Sequence, residues 1–247
     1  MKPISLSEIS QKLESYEETI VFKLIDRAQY AVNEVIYEPG KSGFKGAGDN
    51  SLLELRLRFQ EQMDTQFGKF CVPEERPFIK SFSTPQRKAM IDDRGILIED
   101  CNVVNLTVDI MKGYRSLVPL FCAPGDDGHY GSSVEHDVYA LQAISRRVHF
   151  GSFYAAESKF SSDPGGFSSL IAERDEDGLL KRLTRKDVED RIIERIREKT
   201  ESTQATVNRT IRRVIEPDVI VNFYRECLIP LTKKGQVLYL LNRENPS

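Results

Sequence analysis

Apolar residues return at three- and four-residue steps through most of this chain, and that period suits helices rather than strands. In SLSEISQKLESYEETIVFKLIDRAQYAV, residues Ile9, Leu13, Tyr16, Ile20 and Leu24 form one stripe, and Ser5 with Glu8 has the spacing of a capping box. The same period predicts a second helix near 51–67, after the Gly-rich loop YEPGKSGFKGAGDN. The GFKGAG within that loop follows no strand, so its glycines serve loop geometry and not a dinucleotide phosphate. A long helix is expected from Ser132, with Glu135 completing a capping box, to about residue 160, where SSDPGG breaks it. Further helices are expected near 167–182, near 185–200 with Thr184 as N-cap, around 203–213, and from Asp218 to about Asn242 with a kink at Pro230. Only the run ILIEDCNVVNLTV, which starts at Ile96, has the β-branched composition of a strand, and one is expected over 97–109.

The 247 residues, 40% of them hydrophobic, can bury a sizeable core, and they read as one domain over 1–247. The 35 basic and 38 acidic residues are interspersed and leave a net charge of −3, which argues against a nucleic-acid or anionic-membrane partner. Any anion site must therefore be local. Cys71, Cys101, Cys122 and Cys227 stand too far apart for a zinc motif or a disulfide scaffold, so they are expected as buried free thiols, with no metal bound. No window approaches the ~20 apolar residues of a membrane span, and the N-terminal residues lack a signal-peptide core. A cytoplasmic protein is expected.

Several polar side chains fall on or beside the apolar faces. In SRRVHFGSFYAAESKF, Arg147 lies at the margin of the stripe Val134, Val138, Leu141, Ile144 and Val148. Arg185 and Glu189 stand four apart on a flank of the face made by Val188, Ile192 and Ile196. Thr232 and Gln236 share one face of the last helix. Taken singly, these are a snorkelling arginine, a surface ion pair and core hydrogen bonds. Together they are what a helix bundle presents when several helices each turn one polar group toward a common ligand.

ETIVFKLIDRAQY, SRRVHFG…AAESKF, VEDRIIERI and IPLTKKGQVLYLL, in that order across nearly the whole chain, resemble the eukaryotic-type chorismate mutases. The resemblance implies an all-α, single-domain multi-helix bundle, and it displaces the strand over 97–109 in favour of helix or loop. It also implies a homodimer that converts chorismate to prephenate without a cofactor. That reaction is a unimolecular Claisen rearrangement: a dicarboxylate substrate must be held in its compact conformer while charge develops on the ether oxygen. By the same resemblance Arg147 grips a substrate carboxylate, Lys159 faces the ether oxygen with Gln236, Glu189 accepts the substrate hydroxyl, and Thr232 is the small hydroxyl residue of the last helix. Gln236 stands where eukaryotic members carry a glutamate that works when protonated, so no requirement for acid conditions is expected.

Three departures accompany the resemblance. Ser10 replaces an arginine of the first helix that helps hold a carboxylate, and Arg185 replaces an asparagine or aspartate of the substrate-binding set. The family's arginine-to-lysine separation of eleven residues is twelve here, from Arg147 to Lys159, which at ~100° per residue would bring Ser158 to the site instead. A one-residue π-bulge near GSFYAA is expected to restore the lysine. An amino-acid effector is implied at the loop-to-helix junction of Gly131 and Ser132, within regulatory loops at about 68–85 and 122–133. The family's two effector-binding arginines fall on Gly68 and Lys69, which points to weakened or absent feedback. Two alternatives stay open: a diverged pericyclase acting on isochorismate or a related compound, and a catalytically inactive regulatory homologue.

Overall fold

The computed structural model describes residues 5–79 and 96–243. Its described residues form nine α-helices with short 3-10 turns, and the sole β pairing among them is an isolated bridge between Ala31 and Ala123. The helices are α1 Leu6–Arg27, α2 Leu52–Gln66, α3 Thr107–Phe121, α4 Tyr130–Ser162, α5 Pro164–Ala172, α6 Glu176–Leu183, α7 Lys186–Gln204, α8 Pro217–Phe223 and α9 Ile229–Leu241. None is long and apolar enough to cross a membrane.

Helix α4 organises the rest. Its 33 residues span roughly 50 Å at ~1.5 Å per residue, too long for one core. The first half inserts Val134, Val138, Leu141, Ile144 and Val148 into a cluster with α1, α3 and α8. The second half inserts Phe153 and Ala156 into a separate cluster with α5, α6 and α9. A small third cluster, Ile9, Tyr16, Phe150 and Ala155, joins α1 to the middle of α4. Residues 147–159 therefore sit where the cores meet, beside the start of α1.

Two glycines bring α9 onto this stretch. A Cβ on Gly151 would stand 2.8 Å from Thr232 Cγ2, and one on Gly235 would stand 2.6 Å from Ser152 Cβ, both closer than real Cβ contacts. Helix α9 is reached through a π turn at Tyr224–Leu228, closed by the Ile229 N–H on the Tyr224 carbonyl. Pro230 lacks an N–H and cannot complete an ordinary helical turn, so the wider turn just before it absorbs the disruption expected as a kink.

Capping boxes start α1 at Ser5/Glu8, as the sequence predicts, and α2 at Ser51/Glu54. Elsewhere the ends differ from expectation. Helix α4 begins at Tyr130, so Ser132 lies inside its first turn and makes no cap with Glu135. Thr184 is no N-cap either: its hydroxyl donates back to the Leu180 carbonyl at the end of α6, and Arg185 holds the N-cap position of α7 with no side-chain bond to the helix's first N–H groups. The helix expected over 167–182 is two helices, separated where Arg174 takes φ 52° and Asp175 caps α6 through the Gly178 N–H. No helix occupies 205–213, because Asn208 turns the chain there, its Oδ1 accepting from the Thr210 N–H. Residues 97–109 hold the 3-10 turn Glu99–Val103 and the start of α3. The β-branched run serves helix packing instead: Val104, Leu106 and Ile110 are buried.

Candidate active site

A cavity of about 510 Å³ lies between α1, the middle of α4, α7 and α9. Six cationic side chains (Arg147, Lys159, Arg185, Arg191, Arg195 and Lys233) line it against three carboxylates, Glu14, Glu17 and Glu189. This positive interior stands in a chain of net charge −3. Among the described residues neither histidine nor cysteine lines it. The chemistry available is binding and orienting an anion, not nucleophilic attack by a thiol or proton relay through an imidazole.

Helix α4 supplies Arg147, Gly151, Ala155 and Lys159, each four residues after the last. The cavity thus follows the i±4n ridge, which crosses a helix obliquely instead of running parallel to its axis. Twelve residues are three steps along that ridge, so Lys159 reaches the site although α4 is continuous α-helix throughout. The π-bulge expected near GSFYAA is not formed, and Ser158 does not line the cavity.

Arg147 is 2% exposed. One terminal nitrogen donates to Thr232 Oγ1 at 2.8 Å and the other to Glu17 Oε1 at 3.3 Å. Its Nε–H has no partner among the described residues, and its guanidinium lies 5.5 Å above the Tyr224 ring. Thr232 is committed on both sides, donating to the Leu228 carbonyl at 2.7 Å while accepting from Arg147.

Lys159 Nζ donates to the Leu183 carbonyl at 2.8 Å and to Gln236 Oε1 at 3.1 Å. The Gln236 Nε2 donates to the Gly151 carbonyl at 3.0 Å, which fixes the amide with its oxygen toward the lysine. Burial first, then the positive charge of Arg185, pushes the Lys159 ammonium down to about 8, with Glu189 opposing.

The expected Arg185–Glu189 pair does not form. Arg185 Nε bonds Asp187 Oδ1 at 3.3 Å, with 64% of its side chain exposed at the cavity mouth, and Glu189 pairs with Lys233 at 3.0 Å. Ser10 lines the mouth from α1, its hydroxyl 3.5 Å from Glu14 Oε1. The cavity therefore gathers Ser10, Arg147, Lys159, Arg185, Glu189, Thr232 and Gln236.

Sequence reasoning missed Glu17, which is 0% exposed and holds Arg147 on one oxygen and Arg195 Nε, at 2.9 Å, on the other. The available signal was an acid four residues after Leu13, among the inward residues of α1. Arg195 and Lys233 were missed as well, because each reads as one more exposed charge.

The three regulatory candidates separate. Gly131 and Ser132 line a second cavity of about 460 Å³ with Phe44, Phe59, Arg56 and Glu135. Lys69 does not line it, being held by Asp64 at 3.0 Å and by Gln142 Oε1 at 2.5 Å. Residues 80–85 of the first expected regulatory loop lie outside the described residues.

No family model matches the chain. It is 34% identical to the chorismate mutase of Saccharomyces cerevisiae, over 97% of this chain and 95% of that protein. This chain belongs to the chorismate mutase family. Its fold agrees: the chorismate mutase of Candida albicans in complex with L-tryptophan superposes with a TM-score of 0.90 at 36% identity, covering 97% of this chain and 91% of that one. The structure of AtCM1 with phenylalanine bound in its allosteric site gives 0.81 at 32% identity, covering 98% and 97%. The all-α architecture of the described residues is thus that of the eukaryotic chorismate mutases.

Proposed function

We propose that this chain is a chorismate mutase, an isomerase that rearranges chorismate to prephenate in the cavity between α1, α4, α7 and α9. The observation that carries the reading is Arg147: a guanidinium buried to 2% exposure, braced by Thr232 and Glu17, with donor capacity left over at a cation-rich cavity. A buried fork of this kind matches a carboxylate in charge and shape.

The reaction makes and breaks bonds within one molecule, so the protein supplies position and charge. Arg147 takes one substrate carboxylate at the closed end, and Arg185 and the hydroxyl of Ser10 meet the second at the mouth. Gripping both holds the substrate compact, which replaces a rare conformer in water by the bound one. Lys159 lies beneath the breaking ether bond, where its charge stabilises the oxygen more in the transition state than in the ground state. One such donor is commonly worth ~10²–10³ in rate. Gln236 orients Lys159 through its amide oxygen beside the same ether oxygen, and Glu189 accepts the substrate hydroxyl. The rearrangement itself calls for no cofactor or metal.

The second cavity offers the α4 N-terminus with Gly131 and Ser132, together with the ion pair of Arg56 and Glu135 at 3.4 Å, to a zwitterionic amino-acid effector. Lys69 is already held by Asp64 and Gln142, so the reading is weak regulation through the loops at 68–85 and 122–133. A homodimer is supported by the exposed Phe44, Phe59, Met63 and Phe67 on and beside α2. Cysteines too widely spaced for a disulfide scaffold support a cytoplasmic setting, and we take residues 1–247 as one domain.

The test is chorismate loss by absorbance at neutral pH, with prephenate confirmed by acid conversion to phenylpyruvate. Turnover far above the spontaneous rate is expected. Added phenylalanine, tyrosine or tryptophan should change it by less than the ~5–150-fold of typical allosteric coupling. A folded protein without turnover would overturn the reading and make isochorismate the next substrate.

A further inference from the structure

The cavity holds the Lys159 ammonium among like charges. Lys159 Nζ has two neutral acceptors, the Leu183 carbonyl and Gln236 Oε1, and no carboxylate partner among the described residues. The charged groups facing it come from two sides. Arg185 and Glu189 approach from the start of α7, and Lys233 from α9. Glu189, the one acid of these three, is occupied by Lys233 at 3.0 Å. On the α1 wall Glu14 and Glu17 are both held by Arg195.

Arg185 is the least neutralised of these cations. It is bonded through Nε alone, and its acceptor, Asp187, is shared with Arg191 at 3.0 Å. Its terminal nitrogens bond nothing among the described residues and stand at the cavity mouth. The arrangement lacks negative charge, and a dianion would supply it.

We propose that Arg185, besides meeting the second carboxylate, acts through Lys159: the two cations oppose each other in the free protein, and a dianion bridging them relieves that opposition and keeps the Lys159 proton in place. The proposal rests on the chorismate reading of this cavity. It makes protonation part of binding, because the Arg185 carboxylate contact and the Lys159 proton each favour the other. Burial together with Arg185 already brings the free amine down to about 8. The empty protein should therefore lose the competent lysine in mild alkali, and the complex should keep it.

Competitive labelling of the intact protein with trace acetic anhydride, Lys159 being followed by peptide mass spectrometry over a pH series of about 6 to 10, titrates this amine without turnover. Lys159 should titrate near 8 in the wild type, measurably higher in Arg185→Gln, and near the wild-type value in Arg185→Lys. With chorismate, the alkaline limb of kcat/KM should follow the labelling value in each protein, and the limb of kcat should lie higher than that of kcat/KM. Arg185 is mostly exposed, so these variants test its charge and not the fold. Equal titration of Lys159 in wild type and Arg185→Gln would overturn the proposal. A labelling shift in a protein that turns over no chorismate would retire the substrate reading and leave the charge coupling standing.

Discussion

Arg27 and Arg147 are both hidden from solvent, yet their donors are used differently. Arg27 gives Nε to Asp137 at 2.6 Å and its terminal nitrogens to the carbonyls of Ala31 and Val32 and to the Tyr37 hydroxyl. Tyr37 and Tyr114 complete the same carboxylate. That set is closed, as a structural ion pair must be to offset its desolvation. Arg147 has Thr232 and one oxygen of Glu17, and an Nε–H with no partner among the described residues. Sequence alone marked Arg147 as misplaced on an apolar margin but could not separate these two cases. The difference lies in partners from α1 and α9, distant in sequence.

Gln236 carries a prediction at the same scale. Its oxygen accepts from Lys159 at any pH, and its NH2 cannot be lost. The acid side of the wild-type rate profile should be flat down to the point where the fold gives way. In Gln236→Glu, a carboxylate beside the lysine is ionised at neutral pH and can only accept. The rate should drop at pH 7 and recover as the carboxylate takes up its proton in mild acid; a flat profile for this variant would contradict the assignment.

Among the elements, α1, α2 and α4 were legible because each has an apolar stripe, and α1 a visible cap. The 205–213 segment was not, since its residues are good enough for a helix while Asn208 provides a competing turn. The reach of Lys159 was misjudged for a different reason. An ideal-helix projection assumes a site parallel to the axis, and this one crosses α4 along a ridge of four-residue steps. The close contact of α4 with α9 depends on Gly235, where a Cβ would meet Ser152. Replacing a helical glycine by alanine ordinarily gains roughly 0.5–1 kcal/mol. Gly235→Ala should instead destabilise by about 1–3 kcal/mol through overpacking and shift Gln236 away from Lys159. Urea unfolding and kcat measure the two effects, and a stabilised, fully active variant would contradict this packing account.

Over the whole molecule, the apolar pattern made the helical class legible, whereas the identity of the pocket depended on several co-linear motifs and then on coordinates. Of the buried supports, Glu17 beside Arg147 shows in the sequence only as an acid one four-residue step from Leu13, and His149 in the core carries no periodicity of its own. His149 is 0% exposed, its Nε2 accepting from the Leu106 N–H at 3.0 Å and its Nδ1 2.8 Å from the Ser145 carbonyl. Burial pushes its pKa from 6.5 down to about 4. The unfolded chain then takes a proton below about 6.5 that the folded protein refuses until about 4. The imidazole's stabilisation is therefore complete above 6.5 and lost as pH falls through that window, by up to about 3 kcal/mol. His149→Gln isolates this from the buried carboxylates: its stability deficit against wild type should shrink between pH 7 and pH 4.5, and a constant deficit would contradict a neutral buried histidine.

The central claim is that the protein grips its substrate with the Arg147 fork, and the most direct measurement is kcat/KM for chorismate in Arg147→Lys against wild type. Lysine keeps the charge opposite Glu17, so the fold should survive, but it offers a point charge where the carboxylate meets a planar pair of donors. A loss of about 10²–10³ with thermal unfolding nearly unchanged is predicted. Turnover within about tenfold of wild type, some 1.4 kcal/mol of transition-state stabilisation, would contradict it.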